Sequence, residues 1–214
     1  MVKIHTACRR AREKEQRRND IIEAAEKLFI AKGYENTSMD DIAAAVELSK
    51  PAIYRYFASK EDLYFAVVIR GSMILTQIME EGVAAAKTGL DKIYATGVAF
   101  YKFCREYPDY AKMFMHVRSF ESCCPESENL RVLAKAGGSS LTIMCAAIET
   151  GKKDGTIRKD ADTFLTAVLF VEATIAAIQL SNGMMGALER NGKTHDEFVK
   201  YSLDLMMHSI ESKK

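Results

Sequence analysis

The stretch LSKPAIYRYFASKEDL, residues 48–63, decides the fold of this chain. Ser49 is a favoured N-cap residue, and Pro51 falls in the first helical turn after it, where a missing backbone N–H does no harm. A short helix is therefore predicted over residues 50–57. A second N-cap serine, Ser59, follows and predicts a long helix that begins near residue 60.

The residues before this stretch predict two more helices. Apolar side chains recur at helical spacing over residues 13–32 and over residues 39–46. The second run is opened by a capping-box spacing from Thr37 or Ser38 to the aspartate three residues later. Two short helices joined by a three-residue turn, behind a supporting helix, form a helix-turn-helix, whose second helix fits the major groove of DNA.

Helical periodicity continues through the remaining chain. Helices are predicted near residues 60–87, 90–106, 108–120, 126–152, 160–191 and 194–212, and we find no alternating run typical of a strand. The predicted fold is therefore all-α, with a three-helix DNA-binding head that contains the helix-turn-helix, followed by a larger helical bundle. We expect the head, with an N-terminal basic arm, to span residues 1–66 and the bundle to span residues 67–214.

The charge of the chain is unevenly distributed. Its 214 residues carry a formal net charge of +1, which excludes a strongly basic histone-like protein and an acidic tail protein. The first 18 residues hold seven basic and two acidic side chains, a net charge of +5, so the remainder carries −4. This arm has two interpretations: a solvated, frayed tail, or a segment that follows phosphates or enters the minor groove beside the second helix.

The composition is that of a core-forming soluble protein, with 48% hydrophobic and 28% charged residues. Five cysteines without a disulfide-like spacing suit a reducing cytoplasm, and the polar, basic N-terminus shows no secretory signal. The apolar run over residues 163–188 is long enough to span a membrane, but its polar and small residues favour a buried soluble helix. We therefore expect a cytoplasmic protein with no membrane partner.

The predicted second helix is rich in hydrogen-bond donors for a phosphate-lined groove, at Lys50, Tyr54, Arg55, Tyr56 and Lys60. Arg55 is the best candidate for reading a base, through guanine O6 and N7, whereas Tyr54 and Lys60 are expected on phosphates. Ser49 and the free backbone N–H groups beside it can bind a phosphate. The alternative is that the tyrosines are half-buried aromatics and the cations are solvated.

Residues 24–34, 37–43 and 48–63 resemble the opening of the TetR family of transcriptional regulators. The family run aliphatic-Tyr-x-[Tyr/His]-Phe-x-[Ser/Asn]-Lys-[Glu/Asp] stands here from Ile53 to Glu61. The resemblance implies a ligand-responsive regulator, usually a repressor, that acts as a homodimer on double-stranded operator DNA and binds a small-molecule effector. It implies a DNA-binding site composed of Thr37, Ser38, Ser49, Lys50, Pro51, Ala52, Tyr54, Arg55, Tyr56 and Lys60.

Two positions depart from the family pattern. Glu47 stands at the turn position that relatives often give to glycine, and a left-handed backbone there would cost a non-glycine residue about 1–2 kcal/mol. Pro51 stands where many relatives have Gly or Ala, and it removes a possible phosphate-binding N–H.

Aromatic and methionine side chains in the bundle are candidates for an effector pocket, although most such residues form plain core. A soft lining of this kind suits an apolar or amphipathic ligand. Glu172 lies within an apolar run, where a buried carboxylate needs a partner in the protein, in a second copy or in the ligand. The candidate pocket residues are Tyr94, Phe100, Tyr101, Phe103, Met113, Phe114, His116, Phe120, Met144, Glu172 and Gln179.

The last two predicted helices, over residues 160–191 and 194–212, are the expected dimer elements. Small residues in the first allow close helix approach, and apolar residues in the second could complete a four-helix interface. The candidate interface residues are Ala173, Ala176, Ala177, Phe198, Leu205, Met206 and Ile210. Two-fold symmetry then predicts a palindromic operator.

Other functions are less well supported by the sequence. We find no phosphate-binding glycine loop, nucleophile elbow or His-Glu-x-x-His motif, so no enzyme activity and no cofactor is expected. An alternative is a metal- or redox-sensing DNA-binding regulator that uses Cys104, Cys123 and Cys124, with His116. A nonspecific chromatin-type protein is disfavoured by the large, near-neutral C-terminal part.

Overall fold

The computed structural model describes residues 2–117 and 128–213 and builds them from helices. In chain order these are α1 (Val2–Lys32), α2 (Met39–Ala45), α3 (Lys50–Ile53), α4 (Lys60–Ala85), α5 (Gly89–Glu106), α6 (Pro108–Val117), α7 (Glu128–Asp154), α8 (Thr163–Ile178), α9 (Asn182–Arg190) and α10 (His195–Ile210). An isolated antiparallel bridge joins Ile157 and Glu211, and neither described range contains a strand. The all-α fold class predicted from the sequence is confirmed.

The chain divides into two compact units. The head unit comprises Met1–Ser72 and Asp109–Lys135, and the body unit comprises Met73–Pro108 and Ala136–Lys214. The expected boundary after residue 66 therefore differs from the structural one. The head unit continues along α4 and also takes most of α6 and the first residues of α7, because apolar side chains of these helices belong to its core.

The core of the head unit lies beneath the helix-turn-helix. Ile42, Ile53 and Phe57 are at most 1% exposed, and they belong to one apolar cluster with Leu63 and Phe65 of α4. Helices α6 and α7 complete the cluster with Met113, Val117 and Leu133. The short helices α2 and α3 are thus held by tertiary packing, since helices of this length are not stable alone.

The core of the body unit joins α5, α7, α8 and α10 through side chains such as Ile93, Ile148 and Phe170. Two helix ends meet at glycines: a Cβ atom on Gly89 would lie 1.9 Å from the backbone nitrogen of Gly151. The Gly89 N–H also donates to a carboxylate oxygen of Asp154 at 2.7 Å. The beginning of α5 is therefore fixed against the end of α7.

Three predicted elements differ from the observed ones. Helix α1 starts at Val2, so the N-terminal arm continues the helix rather than forming a frayed tail. The helix predicted over residues 160–191 is two helices, because Ser181 caps α9 by accepting the Met184 N–H at 3.3 Å. The helix predicted over residues 50–57 ends at Ile53 and continues as a turn.

By length and composition alone, Lys60–Ala85 and Arg131–Asp154 are long and apolar enough to cross a membrane. Helices α8 and α9 pass the same test only if both are counted as one span across their 72° bend. Burial within the head unit explains the apolar character of α4, because Leu63, Phe65 and Val67 are fully enclosed. We interpret α4 as a core helix.

Candidate nucleic-acid interface

Helix α2 begins with a capping box. The backbone N–H of Asp41 donates to the Ser38 hydroxyl at 3.1 Å, and the Ser38 N–H donates to the Asp41 carboxylate at 2.8 Å. Hydrogen bonds from the Ser38 hydroxyl and backbone lower the pKa of Asp41 to about 2. The carboxylate is therefore ionised at neutral pH and the exposed first turn of α2 is fixed in place.

The turn between α2 and α3 has the left-handed residue that the sequence indicated. Glu47 has a φ of 54°, whereas the other positive φ values in the described ranges belong to glycines. The Leu48 N–H donates to the Ala43 carbonyl at 2.9 Å and the Glu47 N–H to the Ala44 carbonyl at 3.3 Å. This is the Schellman pattern of a helix C-terminus, so the strained residue sets the angle between the two helices.

Helix α3 buries one face and exposes the other. Ser49 is its N-cap, and its side chain makes no capping hydrogen bond. Ala52 is 7% exposed and Ile53 is fully buried, so the alanine has little surface left for the DNA contact that the resemblance implies. The exposed face is composed of Ser49, Lys50, Pro51, Tyr54 and Arg55, and we call it the recognition face.

Lys50 is already paired within the protein. Its ammonium group lies 2.8 Å from a carboxylate oxygen of Asp40 at the start of α2, and both side chains are solvent-exposed. The Asp40 carboxylate, by hydrogen bond and by charge, raises the pKa of Lys50. An exposed pair of this kind is weak, so a phosphate can replace the carboxylate as the partner of Lys50.

Lys60 and Thr37 hold the head unit together instead of facing solvent. The Lys60 ammonium donates to the carbonyls of Tyr34 and Thr37, at 3.0 and 3.1 Å, and lies 4.0 Å from the centre of the Tyr34 ring. Thr37 is 1% exposed, and its hydroxyl donates to the Gly33 carbonyl at 2.8 Å. Both side chains therefore make internal hydrogen bonds in the head unit, and their expected DNA contacts stay predictions.

Arg55 has the freest side chain of the recognition face. It is exposed and makes no ion pair or side-chain hydrogen bond with the part of the chain that the structure describes. Tyr54 beside it is 45% exposed, whereas Tyr56 is half-buried and packs against the head core. The contacts expected for Ser38, Ser49, Lys50, Pro51, Tyr54, Arg55 and Tyr56 remain predictions that their positions allow.

A polar cluster inside the head unit ties α6 to α1 and α4. The Tyr110 hydroxyl donates to Glu26 at 2.8 Å, and Arg70 donates to the other carboxylate oxygen of Glu26 at 3.2 Å. Burial, and then the Glu26 carboxylate, raise the pKa of Tyr110. Gly71 allows the close approach, because a Cβ there would lie 2.6 Å from the Tyr110 ring. Sequence reasoning missed this cluster, since its members are far apart along the chain.

The residues expected to line one effector pocket are divided between the two units. Met113, Phe114 and His116 belong to the head unit, whereas Phe120 lies outside the described residues. In the body unit Tyr94 packs at the edge of the core, Phe100 is half-buried, and Phe103 and Met144 are buried.

The polar candidates of that set are on the surface of the body unit. Tyr101 donates its hydroxyl to the carboxylate of Asp196, which also pairs with Arg105 at 2.7 Å. Glu172 and Gln179 are exposed. The expectation of a buried carboxylate at Glu172 is wrong, because the residue lies on the outer side of α8.

Helices α8 and α10 pack together in the body unit and expose large apolar side chains. On α8, Phe164, Leu165 and Leu169 are 58%, 66% and 62% exposed. On α10, Tyr201 and Leu205 are 65% and 58% exposed. We call these five residues the apolar face. Leu165 and Leu169 are four residues apart, as are Tyr201 and Leu205, so each pair shares one face of its helix.

Only some of the residues that the sequence predicted for the dimer interface are exposed. Leu205 and Ala176 are exposed, and Ala173, Phe198 and Met206 are half-buried. Ala177 and Ile210 are 6% and 4% exposed, so both are wrong as interface residues and belong to the protomer's interior. Four of the five apolar-face residues were missed, because α8 is apolar all round and its pattern does not distinguish core from surface.

The cysteines give no support to a metal or redox site. Cys104 is half-buried, and burial raises the pKa of its thiol to about 11, which disfavours the thiolate that metal binding and oxidation require. Cys123 and Cys124 lie outside the described residues. Within residues 2–117 and 128–213, no three His, Cys, Asp or Glu side chains converge as metal ligands would.

Comparison with known proteins agrees with the geometry of the head. Residues 21–67 match the family described as bacterial regulatory proteins, tetR family. The HTH-type transcriptional activator FasR of Mycolicibacterium smegmatis is 31% identical over 90 residues, which are 42% of this chain and only 41% of FasR. The uncharacterized HTH-type transcriptional regulator YhgD of Bacillus subtilis is 27% identical over 162 residues, 76% of this chain and 82% of YhgD.

The likeness also extends to solved structures. The crystal structure of a TetR/AcrR-family transcriptional regulator from Thermobifida fusca superposes with a TM-score of 0.66 and 27% identity, and the match covers 90% of this chain and 97% of that one. Both the helix-turn-helix and the helical body are therefore shared. The head of this chain is therefore a TetR-family DNA-binding region, and the chain as a whole is similar in fold to TetR/AcrR-family transcriptional regulators.

Proposed function

We propose that this chain is a homodimeric repressor that binds a palindromic operator with its two head units. It leaves the operator when an apolar or amphipathic small molecule binds in the C-terminal part, residues 67–214. The observation that carries the proposal is the recognition face, where exposed Tyr54 and Arg55 stand on a helix whose other side is buried. Bacterial regulators of this kind bind DNA in the cytoplasm, and we therefore propose a cytoplasmic location for this chain.

The apolar face supports the homodimer. Five large side chains, four of them aliphatic or phenyl, are unlike the polar surface that a monomer keeps in water. A second copy related by a two-fold axis would cover them with an identical face, which closes the assembly. Two recognition faces would then bind half-sites about 34–36 Å apart along the DNA, or a multiple of that distance.

The polar cluster of Glu26, Arg70 and Tyr110 supports a route for the response. Helix α6 follows α5 directly, so the chain passes from the body unit into the head unit at Pro108. Tyr110 then binds Glu26 of α1 at 2.8 Å. A shift of α6 would therefore act on the helix that supports the helix-turn-helix.

The operator is tested by selection of bound duplexes from a random pool. We expect an enriched palindrome, bound at least about 1000-fold more tightly than random-sequence DNA. Enrichment without symmetry, or a specificity ratio near one, contradicts the proposal and favours the chromatin-type alternative.

Repression is tested separately, since the relative FasR is an activator. A promoter that carries the selected duplex should be less active when the chain is present, and a rise in transcription contradicts repression. For the effector, fatty acids and aromatic acids are titrated into the complex. A coupling of about 1–3 kcal/mol lowers operator affinity about 5- to 150-fold at saturation.

A further inference from the structure

The first half of α1 projects from the head unit. Every side chain of residues 8–17 is exposed, and the first buried residue of the helix is Ile21. At 1.5 Å per residue, residues 2–17 extend about 24 Å beyond the packed part of the unit. We call residues 2–17 the α1 extension, and the side chains of its residues 8–17 pack against nothing in the described protein that would stabilise the helix.

The α1 extension carries a stripe of cations on one side. Arg10, Lys14 and Arg17 are spaced four and three residues apart, so they share a helix face. None of the three makes an ion pair in the described part of the protein, whereas Arg9 pairs with Glu13 at 2.8 Å on a different face. Like charges at this spacing destabilise a lone helix, and a polyanion along the stripe would remove that penalty.

The stripe joins the head unit beside the helix-turn-helix. Arg17 and Lys27 of α1 share a surface groove with Val46 and Glu47 of the turn. The guanidinium of the next residue, Arg18, lies 5.1 Å from the ring centre of Phe57, directly after the recognition segment. A duplex held by the recognition face therefore passes close to the base of the α1 extension.

We infer that the α1 extension is a second DNA contact, in which Arg10, Lys14 and Arg17 neutralise backbone phosphates that flank the half-site read by α3. The inference rests on the proposed operator binding. The contact is independent of base sequence, because the phosphate groups of the backbone carry no direct sequence information. The contact increases the length of DNA that each protomer covers, but it does not change the base sequence that α3 reads.

The test measures the salt dependence of binding for a charge-neutralised stripe. Each phosphate contact contributes about 0.9 to the slope of log affinity against log salt. The variant R10Q/K14Q/R17Q should lower that slope by about 3 per protomer on the selected duplex with random flanks, between about 50 and 200 mM salt. The matched control R9Q/R12Q/K159Q removes two exposed cations of α1 that lie off the stripe and one exposed cation of the body unit, and it should change the slope by less than about 1.

The duplex length gives a second measurement. On a duplex trimmed to the palindrome the stripe variant and the wild type should have the same slope, because the flanking phosphates are gone. An unchanged slope on the long duplex overturns the inference while specific binding leaves the proposed function intact. Loss of specific binding by the wild type overturns the proposed function itself.

A membrane is the other polyanion that could bind the stripe. Vesicles with and without phosphatidylserine are therefore titrated with both variants. If the stripe variant loses vesicle binding but keeps the DNA slope, the DNA contact is overturned. The substituted residues are exposed, so we expect melting temperatures equal to that of the wild type, and hydroxyl-radical protection of the flanks should shrink in the stripe variant only.

Discussion

The recognition face of the head unit and the apolar face of the body unit are exposed to a similar degree but differ in chemistry. Tyr54 is 45% exposed and Leu165 is 66% exposed, and each lies on a helix whose opposite side packs in a core. The first face consists of hydroxyls and cations, which water solvates well. The second consists of aliphatic and aromatic groups, which water does not. Under the proposed function the head unit binds a polar partner, DNA, and the body unit pairs with a second copy before DNA binds.

The largest effect is expected where the apolar face is made polar. The double variant L165D/L205D would bury four carboxylates in a two-fold interface, and an unpaired buried charge costs several kcal/mol. We expect monomers at micromolar concentration in sedimentation velocity and a loss of operator affinity of at least about 100-fold. The control M184D alters an exposed methionine of α9 that is not one of the five apolar-face residues, and it should stay dimeric. A double variant that stays dimeric would contradict the assignment of the apolar face to the dimer interface.

A smaller effect is expected at the close approach of α5 and α7. The variant G89A places a Cβ 1.9 Å from the Gly151 backbone nitrogen, so backbone must move. We expect a loss of about 3 kcal/mol in the free energy of unfolding, measured by urea titration. Gly138, also helical, has open space where a Cβ would lie, with nothing within 4 Å, so G138A should stabilise the protein by about 0.5–1 kcal/mol. Equal losses in both variants would show that the two helices are not packed as described.

The turn between α2 and α3 is tested by substituting residues whose backbone is left-handed. E47G should relieve the left-handed backbone at Glu47 and stabilise the head by about 0.5–1 kcal/mol after the greater unfolded-chain entropy of glycine is subtracted. The reverse change G33A, at a φ of 78° with open space around it, should destabilise the head by about 1 kcal/mol. Thermal unfolding measures both, and a less stable E47G variant would show that the Glu47 side chain matters more than its backbone.

The smallest effect is expected at the ion pair between Lys50 and Asp40. D40N frees the ammonium and removes a negative charge near the DNA, so operator affinity should rise about two- to fivefold at low salt and less at high salt. D160N, which alters an exposed aspartate of the body unit, serves as the control and should leave affinity unchanged. Weaker binding by D40N would mean that Asp40 holds Lys50 in its working position.

The sequence predicted the head in detail because its signals are local. The N-cap at Ser38, the left-handed Glu47 and the inward spacing of Ile53 and Phe57 each depend on residues within a few positions of one another. The internal hydrogen bonds of Lys60 were missed because they go to carbonyls more than 20 residues away along the chain. A residue type and its spacing do not show such a partner.

The body unit could be predicted only as a set of helices. In α8 nearly every side chain is apolar, so Ala177 faces the core and Leu165 faces solvent without any difference in pattern. Glu172 was expected to be buried for the same reason, since its neighbours on both sides are apolar. Which side of such a helix is covered depends on the fold and on the partner. The hydrophobic periodicity of a single helix indicates neither.

The most direct test of the central claim, that α3 reads base pairs with its exposed face, is the specificity of R55A. Affinities are measured for the selected palindrome and for each single base-pair change in it. We expect R55A to lose about 10- to 100-fold on the palindrome and to become indifferent to one symmetric pair of positions, because a bidentate arginine contact contributes about 1–3 kcal/mol of discrimination. A uniform loss over all duplexes, with discrimination unchanged at every position, would place Arg55 on a phosphate and contradict the account.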